Sequence, residues 1–219
     1  MSTDLSDVLS VLAHELRSPL SVLQGYIRLL QRKRDAADPE SAMLTAMLTA
    51  TSRLATLGRQ SSDLAVWARR DEPGTTTDVA AFTHAIASHA PAGATLAPVP
   101  DDMTHRAFHV ADVQALAQSI GALAELAMRE TRQSAAAIAV RPDDDGALRV
   151  VIAVTPDAAT LEAGGTLPAT TEPVPFNRGG LGLSLCLASY VLATHEATAT
   201  ATSDLAHIDV RIGRGRARP

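Results

Sequence analysis

The N-terminal third of the chain carries an apolar periodicity of three and four, and no other feature constrains the fold as tightly. Leu5, Leu9, Leu12, Leu16, Leu20, Leu23, Ile27 and Leu30 fall on one stripe of a helix. Ser2, Thr3 and Asp4 precede the stripe as N-cap candidates, because their side-chain oxygens accept the free amides of a first turn. Arg32, Lys33 and Arg34 close it, placing cations at the negative end of the helix dipole. Pro19 lies inside the pattern, where it removes an amide donor and bends the helix. Residues 35–38 make a short turn, and Pro39 suits the first position of a second helix. The apolar side of that helix runs Met43, Met47, Ala50, Leu54, Leu57, Leu64 and Ala68, interrupted at Ser61. Two long helices with so short a turn form an antiparallel hairpin. Each stripe is longer than one partner helix can bury. Pairing of two hairpins as a four-helix bundle, and hence a homodimer, is the expected solution.

After Asp71-Glu72-Pro73-Gly74 the character changes, and residues 73–78 read as a linker between a hairpin over 1–72 and a second domain over 79–219. Val79 to His89 is a short helix capped by Asp78, and Ala111 to Arg132 is a long one. Ala94–Pro98 and Arg106–Val110 read as short strands. Ala136–Arg141 and Leu148–Val154 flank Asp143-Asp144-Asp145-Gly146, a hairpin signal and a solvated turn. Residues 156–180, rich in Gly, Pro and Thr, read as a long loop. A helix over Leu181–Thr194 and strands at Ala197–Ala201 and His207–Ile212 complete the chain, ahead of a basic tail. Helices mixed with hairpins, without strict strand–helix alternation, give an α/β sandwich.

Composition removes several function classes. With 46% hydrophobic and 20% charged residues the chain builds a packed core and is not disordered. One Trp, two Tyr and three Phe leave little for base stacking, and a net charge of −5 disfavours a phosphate backbone, so no nucleic acid is expected as a partner. The one cysteine, Cys186, excludes an internal disulfide and a multi-cysteine metal site, and its apolar helical surroundings read as core. His105 and His109 have helical spacing without an acidic or cysteine partner, so no metal site is assigned. No apolar run approaches the roughly 20 residues of a membrane helix. The N-terminus also lacks the basic-then-apolar layout of a secretion signal. A cytoplasmic protein without a membrane segment is the expectation.

Chemistry concentrates in His14-Glu15-Leu16-Arg17-Ser18-Pro19-Leu20. His14 lies off the apolar stripe, between Leu12 and Leu16, and so faces solvent. A surface histidine by itself is ordinarily a solvated side chain. One beside a carboxylate is also a nucleophile near neutral pH, with Glu15 to orient it or take its proton. Ser18 stands one turn on, where its hydroxyl positions a water near the ring. A second signal is Gly179-Gly180-Leu181-Gly182-Leu183 opening a helix. Such glycines either join a loop to a helix or let backbone amides cradle a phosphate.

The heptapeptide resembles the H-box of bacterial two-component sensor histidine kinases, and residues 1–72 resemble their dimerisation and phosphotransfer hairpin. The resemblance implies that His14 is phosphorylated, that Glu15 assists, and that Ser18 takes the position that helps dephosphorylation, where the family usually has Thr or Asn. It implies a response-regulator receiver domain as partner, docked on the bundle around Arg17, Ser21, Gln24 and Arg28. Residues 176–195 resemble the lid phenylalanine (Phe176) and second glycine box (Gly180, Gly182) of the same family's ATP-binding domain, of the GHKL or Bergerat type. The family's Asn-Leu-x-x-Asn-Ala box, which holds Mg²⁺, reads Ala122-Leu123-Ala124-Glu125-Leu126-Ala127 here, and leucine offers a hard cation no oxygen. Its first glycine box reads Val154-Thr155-Pro156-Asp157-Ala158-Ala159-Thr160. Asp157 is either the adenine-binding Asp displaced by one residue or a vestige of it, unless the box lies elsewhere. Magnesium-ATP chemistry needs metal ligand, adenine anchor and phosphate loop together.

The leading expectation is therefore a phosphorelay protein in which His14 exchanges a phosphoryl group with response-regulator aspartates, with no cofactor. A working histidine kinase with divergent boxes, using ATP and Mg²⁺, is the alternative. A non-enzymatic pseudokinase scaffold is the third reading.

Overall fold

The computed structural model describes residues 16, 20–31, 39–68, 74–143, 147–154, 171–176, 181 and 183–213. The chain separates into two compact units, Met1–Arg70 and Asp71–Pro219.

In the first unit, residues 20–31 form helix α1 and Pro39–Ala68 form α2. Only a narrow line of each helix is buried. Leu20 and Ile27 are interred on α1, seven residues apart, and Leu44, Thr51 and Gly58 on α2 repeat that spacing. Gln31 Nε2 donates to Thr45 Oγ1 at 3.3 Å, tying the helices together near their turn. A second apolar line remains in solvent. It includes Leu23, Tyr26 and Leu30 on α1 and Met43, Met47, Leu54 and Leu57 on α2. The periodicity read from the sequence thus divides between a seam within the hairpin and a face left open.

The second unit runs β1 (Thr75–Asp78), α3 (Val79–His89), β2 (Ala94–Leu96), α4 (Asp101–Thr104), β3 (Ala107–Val110), α5 (Val113–Glu130), β4 (Ala136–Pro142), β5 (Leu148–Ala153), β6 (Glu172–Pro173), α6 (Ser184–Thr194), β7 (Thr198–Ala201) and β8 (His207–Ile212). A six-stranded sheet has the order β2-β4-β5-β8-β7-β6, and β1 pairs with β3 separately. β2 and β4 are parallel, while β4, β5, β8 and β7 are successive antiparallel neighbours. Ile138, Val140, Val150, Ile152, Ile208 and Val210 alternate onto the face shared with the helices. On the opposite face Ala137, Ala139, Val151 and Ala153 are buried as well. Farther along that face Arg149 Nε donates to both carboxylate oxygens of Asp209, at 2.9 and 2.8 Å. This is a two-layer α/β architecture following a helical hairpin.

α5 is the central helix. Asp112 caps it, with Oδ1 accepting from the amides of Gln114 at 2.8 Å and Ala115 at 3.1 Å. Gly121 admits the end of α3, since a Cβ there would stand 2.3 Å from the His89 carbonyl oxygen. α5 and α6 end alike. Gln133 N donates to Met128 O at 2.9 Å and Ala197 N to Leu192 O at 2.9 Å, which wraps each last turn through a residue of positive φ. Those residues are Arg132 (φ 56°) and Glu196 (φ 52°), where glycine is the unstrained choice. Arg132→Gly and Glu196→Gly are each expected to stabilise the protein by about 0.5–1 kcal/mol, the relief of a left-handed side chain less the added chain entropy of glycine. Urea unfolding of the two variants checks this.

Several expectations are corrected. Thr75–Asp78, read as linker, is strand β1, in register with β3 from Thr75↔Val110 to Asp78↔Ala107. Its β-branched threonines suit the role, but the partner lies beyond α3. The edge strand β6 lies inside the stretch read as loop, and Pro173 is tolerated there because an edge leaves one side unpaired. The short helix α4 follows Pro100 between two strands. Cys186 is exposed, not core. α6 turns Leu185, Leu187 and Ala188 inward, and their intervening neighbour outward.

Candidate functional site

In the hairpin, Ser21, Gln24 and Arg28 follow one another by about one helical turn along α1. Ser21 and Arg28 are exposed, and Gln24 is half-buried. Leu16, Leu20, Ser21 and Gln24 stand on one side of a cavity of about 320 Å³, with Ala55, Gly58 and Arg59 of α2 on the other. Its floor is small because Ala55 and Gly58 carry almost no side chain. Its rim is polar and cationic. Arg59 Nη2 donates to Thr56 Oγ1 at 3.0 Å, which holds the guanidinium beside the opening. The structure therefore brings Ser21 and Gln24 together with Arg59, a residue the sequence reading missed. Its basic charge on α2 was the available signal, but nothing local says that it faces α1. His14, Glu15, Arg17 and Ser18 lie outside the described residues.

In the second unit, Asp157, Gly180 and Gly182 also lie outside the described residues. Phe176 and Leu181, half-buried, pack against the domain core. α5 carries Leu126 and Ala122, the positions at which the resemblance would have a metal ligand. Leu126 is 0% exposed, and it belongs to the same buried cluster as Ile120 and Leu123. Ala122 is buried and Glu125 is exposed. An aliphatic side chain at the metal position and a methyl one turn earlier provide no oxygen, so these residues do not fit a magnesium ion. A cavity of about 230 Å³ opens on the outer side of the helices, lined among others by His89, Gln118, Ser119, Glu125 and Ser184.

His195 is a buried strut. Its Nε2 accepts the Asp112 amide at 3.2 Å, so its Nδ1 carries the proton and donates to Val191 O at 2.7 Å. The end of α6 thereby holds the cap of α5.

Residues 4–65 match the family of His Kinase A (phospho-acceptor) domains, a span that contains the whole His14–Leu20 heptapeptide. The match covers the first unit and not the second. Full-length ShkA, crystallised in complex with AMPPNP, is similar at 20% identity with a TM-score of 0.61, over 97% of this chain and 47% of that one. The chain thus spans about half the length of that protein, and at this identity the likeness establishes the fold. The Acinetobacter baumannii histidine kinase AdeS is similar at 16% identity with a TM-score of 0.48, over 93% of this chain and 98% of that one. The histidine kinase domain of the E. coli osmosensor EnvZ is similar at 12% identity with a TM-score of 0.38, over 69% of this chain and 96% of that one. No curated protein matches the chain by sequence. Among the described residues, no helix of the chain is long and apolar enough to cross a membrane.

Proposed function

We propose that the chain is a dimeric phosphorelay protein in which His14 takes a phosphoryl group from the aspartyl phosphate of one response-regulator receiver domain and passes it to another. The observation that carries this over an ATP-driven kinase is Leu126. The side chain at the position that resembles the family's metal ligand is part of the core, which supports a second unit that does not carry out magnesium-ATP chemistry. The phospho-acceptor match over residues 4–65 supports the role of His14.

In the transfer, the lone-pair nitrogen of His14 attacks phosphorus. The bond from phosphorus to the aspartate oxygen breaks, and the electron pair leaves with the carboxylate. The remaining ring N–H proton passes to Glu15, which keeps the phosphorylated imidazole neutral at the ring. The reverse sequence delivers the group to the next aspartate, and Ser18 holds a water for hydrolysis. The open apolar line of the hairpin supports the dimer. Burial of a side chain such as Leu23, Leu54 or Leu57 against a second copy contributes about 1.5–3 kcal/mol each. The cavity rimmed by Gln24 and Arg59, continuous with Ser21, supports docking of a receiver helix that offers an apolar side chain flanked by carboxylates.

Calorimetric titration with ATP, with and without magnesium, tests the assignment. No magnesium-dependent binding is expected, while a receiver domain charged with acetyl phosphate labels the chain. Magnesium-dependent ATP affinity, with acid-labile label that disappears in His14→Ala, would establish the kinase reading instead.

A further inference from the structure

The cavity of about 230 Å³ in the second unit lies between the end of α3, the outer face of α5 and the first turns of α6. Its floor is short and apolar, formed by Ala115, Ala122, Leu187 and Ala188. The polar side chains around it present acceptors. Ser119 is 3% exposed, and its Oγ donates to Ala115 O at 2.8 Å, so its one hydroxyl proton is taken and only lone pairs are left. His89 Nε2 lies 3.1 Å from Gln114 Oε1. A carboxamide oxygen only accepts, so Nε2 carries the proton of the neutral ring and Nδ1 is an acceptor. Glu125 has no hydrogen-bond or ion-pair partner among the described residues. Gln118, two turns earlier on the same face of α5, adds a carboxamide oxygen.

The sign of the site follows from Glu125. α3 ends at His89 and α6 starts at Ser184, so the two helix dipoles bring about half a negative and about half a positive charge, which offset each other. No Lys or Arg is among the described residues that line the walls, and the full charge of the carboxylate decides. A metal ion does not suit it, because no three His, Cys, Asp or Glu side chains come together among the described residues. The volume is below the roughly 300–1,000 Å³ of drug-sized sites, so the occupant is small. Ser119 and Glu125 are six residues apart, about 9 Å along the helix axis, too far for one small head to reach both.

We propose that this cavity binds a short aliphatic cation with an ammonium or guanidinium at each end. One head donates to Glu125. The other donates to Ser119 Oγ and the His89 ring, and the chain between them lies on the alanine floor. A ligand that joins three helices stabilises the second unit and gives it a ligand-sensing role. The inference rests on the second unit alone and stands whatever is transferred through His14.

Calorimetric titration of the full chain with agmatine tests the site. Binding with a dissociation constant of roughly 1 mM or tighter is expected. Amide shifts of Ser119, Gly121 and Ala122 move on addition. Glu125→Gln, on the exposed rim of α5, weakens binding about tenfold or more, the loss of a charge-assisted bond. Ser119→Ala weakens it about fivefold. Asp102→Asn, which removes the same charge from the exposed side of α4, leaves it unchanged. Butylamine, with one head, binds more weakly, and tetramethylammonium, a cation without donors, does not bind. Absence of agmatine binding at millimolar concentration overturns the proposal. Undiminished binding by Glu125→Gln overturns it as well, and that result decides even where Ser119→Ala fails to fold. Equal binding of tetramethylammonium would reduce the site to unspecific charge attraction and also overturns it.

Discussion

His14→Gln is expected to remove phosphoryl transfer altogether. Glutamine keeps the length and polarity of histidine and forms helix at least as well, so the hairpin persists. It has no nucleophilic nitrogen, because the amide lone pair is delocalised. Label from a phosphorylated receiver domain should appear on the unaltered chain as an acid-labile, alkali-stable species and fall to background in the variant, a loss of about 10³-fold or more. Glu15→Gln should slow transfer by about 10²-fold, the usual scale for a positioned proton acceptor. Retained labelling in His14→Gln would move the acceptor elsewhere. Retained signalling output without any labelling would favour the scaffold reading.

Leu126→Asn is expected to be among the most damaging substitutions in the second unit. The leucine is fully enclosed in the cluster that holds Ile120 and Leu123. Replacement removes apolar contact and buries a carboxamide with no prepared partner, together about 3–5 kcal/mol. Thermal unfolding followed by circular dichroism should fall by roughly 10 °C for a domain of this size. The variant also restores the side chain that a magnesium site of the resembled family would use, and no ATP binding should appear in the calorimeter. A stable variant that acquires magnesium-dependent binding would mean that position 126 can turn out of the core. A relay would then no longer be favoured over a kinase.

The hairpin was legible because its signal is local. Leucines at spacings of three and four, a turn and Pro39 determine two helices without reference to the rest of the chain, and α2 begins at the proline. Within the second unit, Asp78 announces the start of α3 and does cap it, whereas α5 begins after the expected Ala111, with Asp112 as its cap. Val150 and Ile152 alternate as a strand should, against Val140 and Ile138. β1 was missed because four residues next to a Pro-Gly turn become a strand only by pairing with Ala107–Val110. Cys186 was misplaced because α6 is apolar almost all round, so its periodicity does not say which side faces the sheet.

The candidate site divides in the same way. The His14 heptapeptide, and the absence of an oxygen at position 126, are facts of the sequence alone. Spacing cannot say that Arg59 meets Gln24 across a cavity, that Leu126 points into the core, or that His195 holds the cap of α5. Each is a contact between residues far apart in the chain, decided by how helices and strands rotate to bury apolar area and satisfy every enclosed polar group. Local periodicity selects the elements, whereas the orientation of each about its own axis is a collective minimum that no single segment encodes.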